Sequence, residues 1–324
     1  MTPPFASARR RLLAAAVTLS LAALAPLAYA GTVETIDLDW QDAGRQRAVP
    51  ARLYWPAQAR AEGPVPLVVF SHGIGGSRRG YSYLGRHFAA HGIASLHVQH
   101  VGSDTALWTG SPWTLVDRLQ SAAQADEAVA RARDLRFALD TLLASEYGSA
   151  IDPQQLVVAG HSYGANTALL AAGARVERAN APTDLHDPRY AAAIVISAPP
   201  FYGQADLRGV LRSVTIPTLH VTATGDTIQI PGYYSPADDR VAVFDAVGSA
   251  RKMLVMFDGG THSIFTDRTG TGGVELNAQV KSATRELATA FIARVFDGEA
   301  AAPFAAWSKR YQPIVARFVD GRGP

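Results

Sequence analysis

The sequence predicts an α/β fold in which a mostly parallel, eight-stranded sheet is covered by helices on both faces. Short runs such as Leu67-Val68-Val69-Phe70 and Leu156-Val157-Val158-Ala159 are apolar at every position, as strands buried on both faces are. Such runs alternate with stretches of helical periodicity. No Ser-, Pro- or Gly-rich linker interrupts them, so 31–324 reads as one domain.

Two extended stretches, 33–40 and 47–54, come first. Pro64-Val65-Pro66 introduces the strand at 67–70, and a helical segment over 81–90 leads to a strand at 93–98. Over 120–143, Val129, Ala132, Leu135, Leu139 and Leu142 fall along one face, which predicts a long amphipathic helix. The strand at 156–159 precedes a helix-like stretch at 166–172. Strands at 192–197, 218–222 and 253–257 and a late helix at 277–295 complete the alternation.

The chain has 324 residues, 48% hydrophobic and 18% charged, which suits a large core and excludes global disorder. It contains no cysteine, so disulfides, thiolate metal sites and a cysteine nucleophile are ruled out. No fixed-period repeat is visible, which argues against a solenoid or propeller. Arg9, Arg10 and Arg11 precede an unbroken small and apolar run over 12–27, then Ala28-Tyr29-Ala30. A basic start, an apolar middle and an A-x-A site describe a secretory signal peptide over 1–30, cleaved before Gly31. The run is short for a retained membrane span, and the arginine cluster leaves open either the general or the twin-arginine export route. Without the leader, 27 Lys and Arg stand against 28 Asp and Glu, so the formal charge of +2 gives way to −1 and no nucleic-acid footprint remains.

In sheets of this kind ligands sit outside the carboxyl ends of the strands. The residues just after each strand are therefore the informative ones. Gly160-His161-Ser162-Tyr163-Gly164 matches G-x-S-x-G between a strand and a helix. The turn is so sharp that a side chain at either glycine position would collide with a neighbouring element, and it lifts the Ser162 hydroxyl above the sheet edge. A serine needs a base, and His262 is the best placed of nine histidines, in Gly259-Gly260-Thr261-His262 after the last strand. His72 and His161 suit structural hydrogen bonding within their glycine loops, and His97 and His100 suit a buried or rim position. The base needs a carboxylate to fix its tautomer. Asp226 follows the strand at 218–222 and is preferred over Asp258, which lies only four residues before His262 in one loop. Two N–H donors are needed for a tetrahedral oxyanion. They are expected from the backbone of Tyr163 and, in Ser71-His72-Gly73-Ile74-Gly75-Gly76, of Ile74. This glycine stretch lacks the Lys-Ser/Thr of a phosphate-binding loop.

These loops resemble those of the α/β-hydrolase superfamily over nearly all of 31–324. Phe70-Ser71-His72-Gly73-Ile74-Gly75-Gly76 with Gly160-His161-Ser162-Tyr163-Gly164 is similar to the platelet-activating-factor acetylhydrolase, chlorophyllase and secreted polyester-esterase group. Gln99-His100-Val101-Gly102-Ser103-Asp104 resembles a strand-end loop of dienelactone-hydrolase-like proteins, although true dienelactone hydrolases use a cysteine and this chain has none. The resemblance implies an exported serine ester hydrolase with Ser162, Asp226 and His262 as its triad. An acyltransferase or perhydrolase on the same triad, or a non-catalytic binding protein on the same fold, are the competing readings. Trp108 and Trp113 within 102–113, and Phe201 and Tyr202 after Pro199-Pro200, are candidates for a substrate pocket, with Pro231-Gly232-Tyr233-Tyr234 a further one. The expected partner is a small-molecule, lipid or polyester ester. No cofactor or metal is expected, since H-E-x-x-H is absent and acyl transfer needs only the triad and water.

Overall fold

The computed structural model describes residues 32–57, 59, 63–178, 181–230, 233–298 and 303–321. The leader expected over 1–30, its cleavage point at Gly31, and Pro231 and Gly232 lie outside them. In chain order the strands are β1 (Val33–Asp42), β2 (Arg47–Pro56), β3 (Val65–Ser71), β4 (Ala94–Val98), β5 (Ile151–His161), β6 (Val176–Arg178), β7 (Ala181–Thr183), β8 (Tyr190–Ile196), β9 (Thr218–Gly225), β10 (Ile228–Ile230), β11 (Tyr233–Ser235), β12 (Lys252–Thr261) and β13 (Val315–Val319). The helices are α1 (Ser82–Ala90), α2 (Leu115–Ala122), α3 (Ala125–Leu143), α4 (Tyr163–Ala171), α5 (Leu207–Leu211), α6 (Asp238–Ala246), α7 (Val274–Asp297) and α8 (Phe304–Tyr311).

The main sheet runs β1-β2-β4-β3-β5-β8-β9-β12-β13. Every pair from β4 to β12 in that order is parallel, whereas β1, β2 and β13 pair antiparallel at the edges. The sheet therefore has nine strands where eight were expected. The addition is β13, a half-buried edge strand beside β12 whose Ala316 and Arg317 face solvent, so it never shows the all-apolar signature of an inner strand.

Alternate residues of the inner strands feed two cores. Leu67, Val69, Leu156, Val158, Ala193 and Val195 pack with α3, α4 and the α5–α6 side, while Val68, Phe70, Val157, Ala159, Ile194 and Ile196 pack with α1, α7 and α8. Helices thus cover both faces, as period-two burial within a two-sided sheet requires. The helix expected over 120–143 is two helices, because Gln124 is extended (ψ 156°) and breaks the chain between α2 and α3. Ala123 and Ala125 at this break line a cavity that also borders Ser162. Parallel pairing brings the carboxyl ends of β3, β5, β8, β9 and β12 to one edge, where all the singled-out loops meet.

Candidate active site

The turn at Ser162 is built by backbone crowding. β5 ends at His161, Ser162 adopts φ 57°, ψ −124°, and α4 begins at Tyr163. A Cβ on Gly160 would stand 2.1 Å from the Gly164 carbonyl oxygen, and one on Gly164 would stand 2.0 Å from that of Ser71. Only glycine fits either place. A non-glycine residue at this positive φ stores strain of about 1–3 kcal/mol, a feature that gathers at functional sites.

Asp226 follows β9, and His262 follows β12 in a short 3₁₀ turn (His262–Phe265). The structure brings both to Ser162. The Ser162 Oγ and His262 Nε2 are 2.7 Å apart, and the His262 Nδ1 and Asp226 Oδ1 are also 2.7 Å apart. Asp226 is fully buried and receives hydrogen bonds on Oδ2 from Ser197 Oγ (2.5 Å) and Thr222 Oγ1 (2.8 Å). The Arg240 guanidinium lies 3.6 Å from its Oδ1. Burial pushes this carboxyl up, but the bond from His262, the charges of His262 and Arg240, and the Ser197 hydroxyl outweigh it and hold it well below the usual carboxylate range. Asp226 therefore stays an acceptor that fixes the His262 tautomer. Asp258 is exposed and touches Thr224 instead (3.4 Å). Ser197, Thr222 and Arg240 were not singled out from sequence. The signal available was a polar residue directly after an apolar strand, as Ser197 is after β8.

The loop after β3 is clamped by the chain after β4. Gly75 N–H donates to the Ser103 carbonyl (2.8 Å) and the Trp108 indole N–H to the Gly75 carbonyl (2.7 Å). Among the described residues the Ile74 N–H has no acceptor, and the Tyr163 N–H, in the first turn of α4, has none within the helix. Ile74 and Tyr163 line the same cavity as Ser162. Beneath them lies Arg131, wholly buried, which donates to Ser103 Oγ (2.7 Å), Thr167 Oγ1 (3.0 Å), Ser71 Oγ (3.1 Å) and the His72 carbonyl. Its guanidinium carbon stands 4.5 Å from the centre of the Tyr163 ring. Burial draws its pKa down to about 10 against the pull of Tyr163, Glu127 and Asp134.

A second serine–histidine–aspartate file lies beneath the first. Ser71 Oγ meets His100 Nε2 (2.9 Å) and His100 Nδ1 meets Asp134 (3.0 Å), all three side chains being fully buried. Arg45 and Arg47 pair with Asp134 at 2.8 and 3.0 Å. With no access for a substrate, this file braces the end of β3. His72 and His161 are buried and hydrogen-bonded, and His97 is held by Gly80 and Ser95.

A cavity of about 170 Å³ opens beside Ser162. Phe201 and Tyr202 line it together with Ile74, Tyr163 and Tyr233. Trp108 and Trp113 do not: Trp108 lies over Gly75 and bonds its carbonyl, and Trp113 is 93% exposed. Tyr234 likewise points outward, 66% exposed. No group of three or more metal-ligating side chains converges among the described residues.

Residues 44–124, which include the glycine loop at 71–76 and stop short of Ser162, match the family described as platelet-activating factor acetylhydrolase, isoform II. The platelet-activating factor acetylhydrolase of Canis lupus familiaris is 26% identical over 150 residues, covering 36% of this chain and 34% of that protein. The chain thus spans about a third of the length of this curated relative. A ferulic acid esterase from Streptomyces cinnamoneus superposes with a TM-score of 0.64 at 23% identity, over 87% of this chain and 94% of that one. The chain has the α/β-hydrolase fold. The three matches together support a place in the serine-esterase group of that fold.

Proposed function

We propose that this protein is an exported carboxylic-ester hydrolase that works through an acyl-enzyme on Ser162. The observation that carries the reading is the continuous file Ser162–His262–Asp226, with both contacts at 2.7 Å, beside an apolar cavity. Ser162 attacks the ester carbonyl as His262 takes its proton. The Ile74 and Tyr163 N–H groups hold the oxyanion, and Asp226 stabilises the imidazolium. His262 then returns the proton to the departing alcohol. Water enters, gives a proton to His262, and releases the acid from Ser162 by the same route. The matches to acetylhydrolases and to an esterase support ester hydrolysis as the reaction class. The leader at 1–30 supports export, with 31–324 as the mature hydrolase domain, and the substrate is a small-molecule, lipid or polyester ester.

The test is hydrolysis of p-nitrophenyl butyrate by the purified protein and by Ser162→Ala and His262→Ala. Each variant is expected to keep the circular dichroism of the parent and to lose at least about a thousandfold in kcat. Near-parental turnover by Ser162→Ala would move the nucleophile elsewhere. For export, amino-terminal sequencing of protein recovered outside the cytoplasm is expected to begin at Gly31.

A further inference from the structure

We infer that the cavity beside Ser162 is an acyl pocket, selective for unbranched apolar acyl groups of middle length, and that the alcohol half of the ester is left in solvent. The inference rests on the esterase reading and extends it to substrate class.

Which half of the ester enters is decided by the base. The leaving oxygen must be within reach of His262 Nε2, because that nitrogen protonates it. The cavity is walled by Ser162 and by both oxyanion donors, Ile74 and Tyr163, and His262 is not among the described residues that line it. A carbonyl seated on those donors with its leaving group toward His262 directs its acyl chain away from the imidazole and into the cavity. The His262 side chain remains 19% exposed, so the alcohol leaves toward solvent.

The shape follows α4. Ser162, Asn166 and Leu170 line the cavity at four-residue spacing, one face of a helix. Eight residues at about 1.5 Å each place Leu170 about 12 Å from Ser162 along the axis. A cavity of roughly 150 Å³ with aliphatic walls accepts one benzene, so about 170 Å³ suits roughly six to eight carbons by the same measure. Spread along this axis, that volume fits a chain rather than a compact ring, which would leave the Leu170 end without contacts. Among the described residues no Lys, Arg or His lines it, and Glu177 does. An acyl group ending in a carboxylate would be desolvated beside Glu177 with no described cation to offset its charge, and is disfavoured.

The experiment is a kcat/KM series on p-nitrophenyl esters from acetyl to dodecanoyl, with benzoyl and monoadipoyl esters added. A second series uses methyl to butyl octanoates, and Ser162→Ala is run throughout. The expected result is a rise of roughly fourfold per methylene from acetyl to hexanoyl or octanoyl, then a decline. Benzoyl and monoadipoyl esters should fall well below hexanoyl, and the alcohol series should vary by less than one methylene does in the acyl series. Leu170→Phe, or Val176→Phe at the half-buried Val176 of β6 should the first not fold, is expected to lower the octanoyl-to-butanoyl ratio by at least about tenfold. A Ser162-dependent activity that is highest on acetyl or benzoyl esters, or a ratio unmoved by both variants, overturns the acyl pocket while leaving the esterase standing. Hydrolysis that survives in Ser162→Ala removes both.

Discussion

The hydroxyl of Tyr81 lies 2.8 Å from Nδ1 of His161, the residue immediately before Ser162. The same hydroxyl accepts from the Gly73 N–H (3.3 Å), so its own proton goes to Nδ1, and His161 Nε2–H donates to the His262 carbonyl (3.0 Å). A file of hydrogen bonds thus runs from the loop carrying Ile74, behind Ser162, to the loop carrying His262. Burial, helped by the nearby His262, holds the His161 pKa down to about 3, so the ring is neutral and can both accept and donate.

Tyr81→Phe removes the middle of this file and leaves the Gly73 N–H and His161 Nδ1 unpartnered. Expected are a loss of about 1–3 kcal/mol of stability and a fall in kcat that exceeds any change in KM. Urea denaturation and steady-state kinetics on one substrate measure both. An unchanged kcat would mean that the file stabilises the fold without aligning the two loops.

Ser162 itself offers a separation of strain from chemistry. Ser162→Gly and Ser162→Ala both lack the hydroxyl, but only glycine relaxes at φ 57°. The glycine variant should be the more stable of two inactive proteins, by about 1 kcal/mol. Equal melting temperatures would argue that the turn is unstrained.

Arg131 touches the loop that carries Ile74, through the His72 carbonyl, and the Tyr163 ring, and so braces both of the proposed oxyanion donors. A lysine keeps the charge but cannot span His72, Ser71, Ser103 and Thr167 with one ammonium. Arg131→Lys should therefore lower kcat/KM by about tenfold to a hundredfold, with KM little moved. Affinity for a trifluoromethyl ketone, which mimics the tetrahedral intermediate, should fall in parallel. A lower melting temperature with both quantities intact would mark Arg131 as structural only.

Acid should unfold the protein before its carboxylates titrate. Burial holds His97 down to about 4 and His220 down to about 3, alongside His161. Below about pH 6.5 the unfolded chain takes up these protons and the native state does not, so stability present at neutral pH is lost as pH falls toward 4. Each such ring contributes up to about 1.4 kcal/mol per pH unit. His220 packs edge-on against Phe244 (5.3 Å), and its Nε2 has no described partner. His220→Leu should make the slope of unfolding free energy between pH 6 and 4 shallower by up to that amount. A slope parallel to the parent's would show that His220 is charged in the native state or does not titrate on unfolding.

That Ser162, Asp226 and His262 meet could be read from sequence because each follows a strand of the alternating pattern, and parallel pairing sends such strand ends to one edge. Loop aromatics carry no comparable direction. Phe201 and Tyr202 reach the cavity, whereas Trp108 turns onto Gly75 and Trp113 into solvent. Arg131 and Asp134 are three residues apart on α3, and neither is marked by any local pattern. They are buried because segments near 45–47, 71–72 and 100–103 converge on them, a long-range fact with no local trace. The break at Gln124 was equally silent, since alanine and glutamine favour helix and tertiary packing around the cavity overrides them.

The central claim is that the Ser162 hydroxyl is the group His262 activates. Its most direct test is intact-mass and peptide-mass analysis after exposure to a fluorophosphonate at neutral pH. The account predicts a single adduct on the peptide carrying Ser162, absent in Ser162→Ala and formed far more slowly in His262→Ala. An adduct on another residue, or full esterase activity in a protein that takes up none, would contradict it.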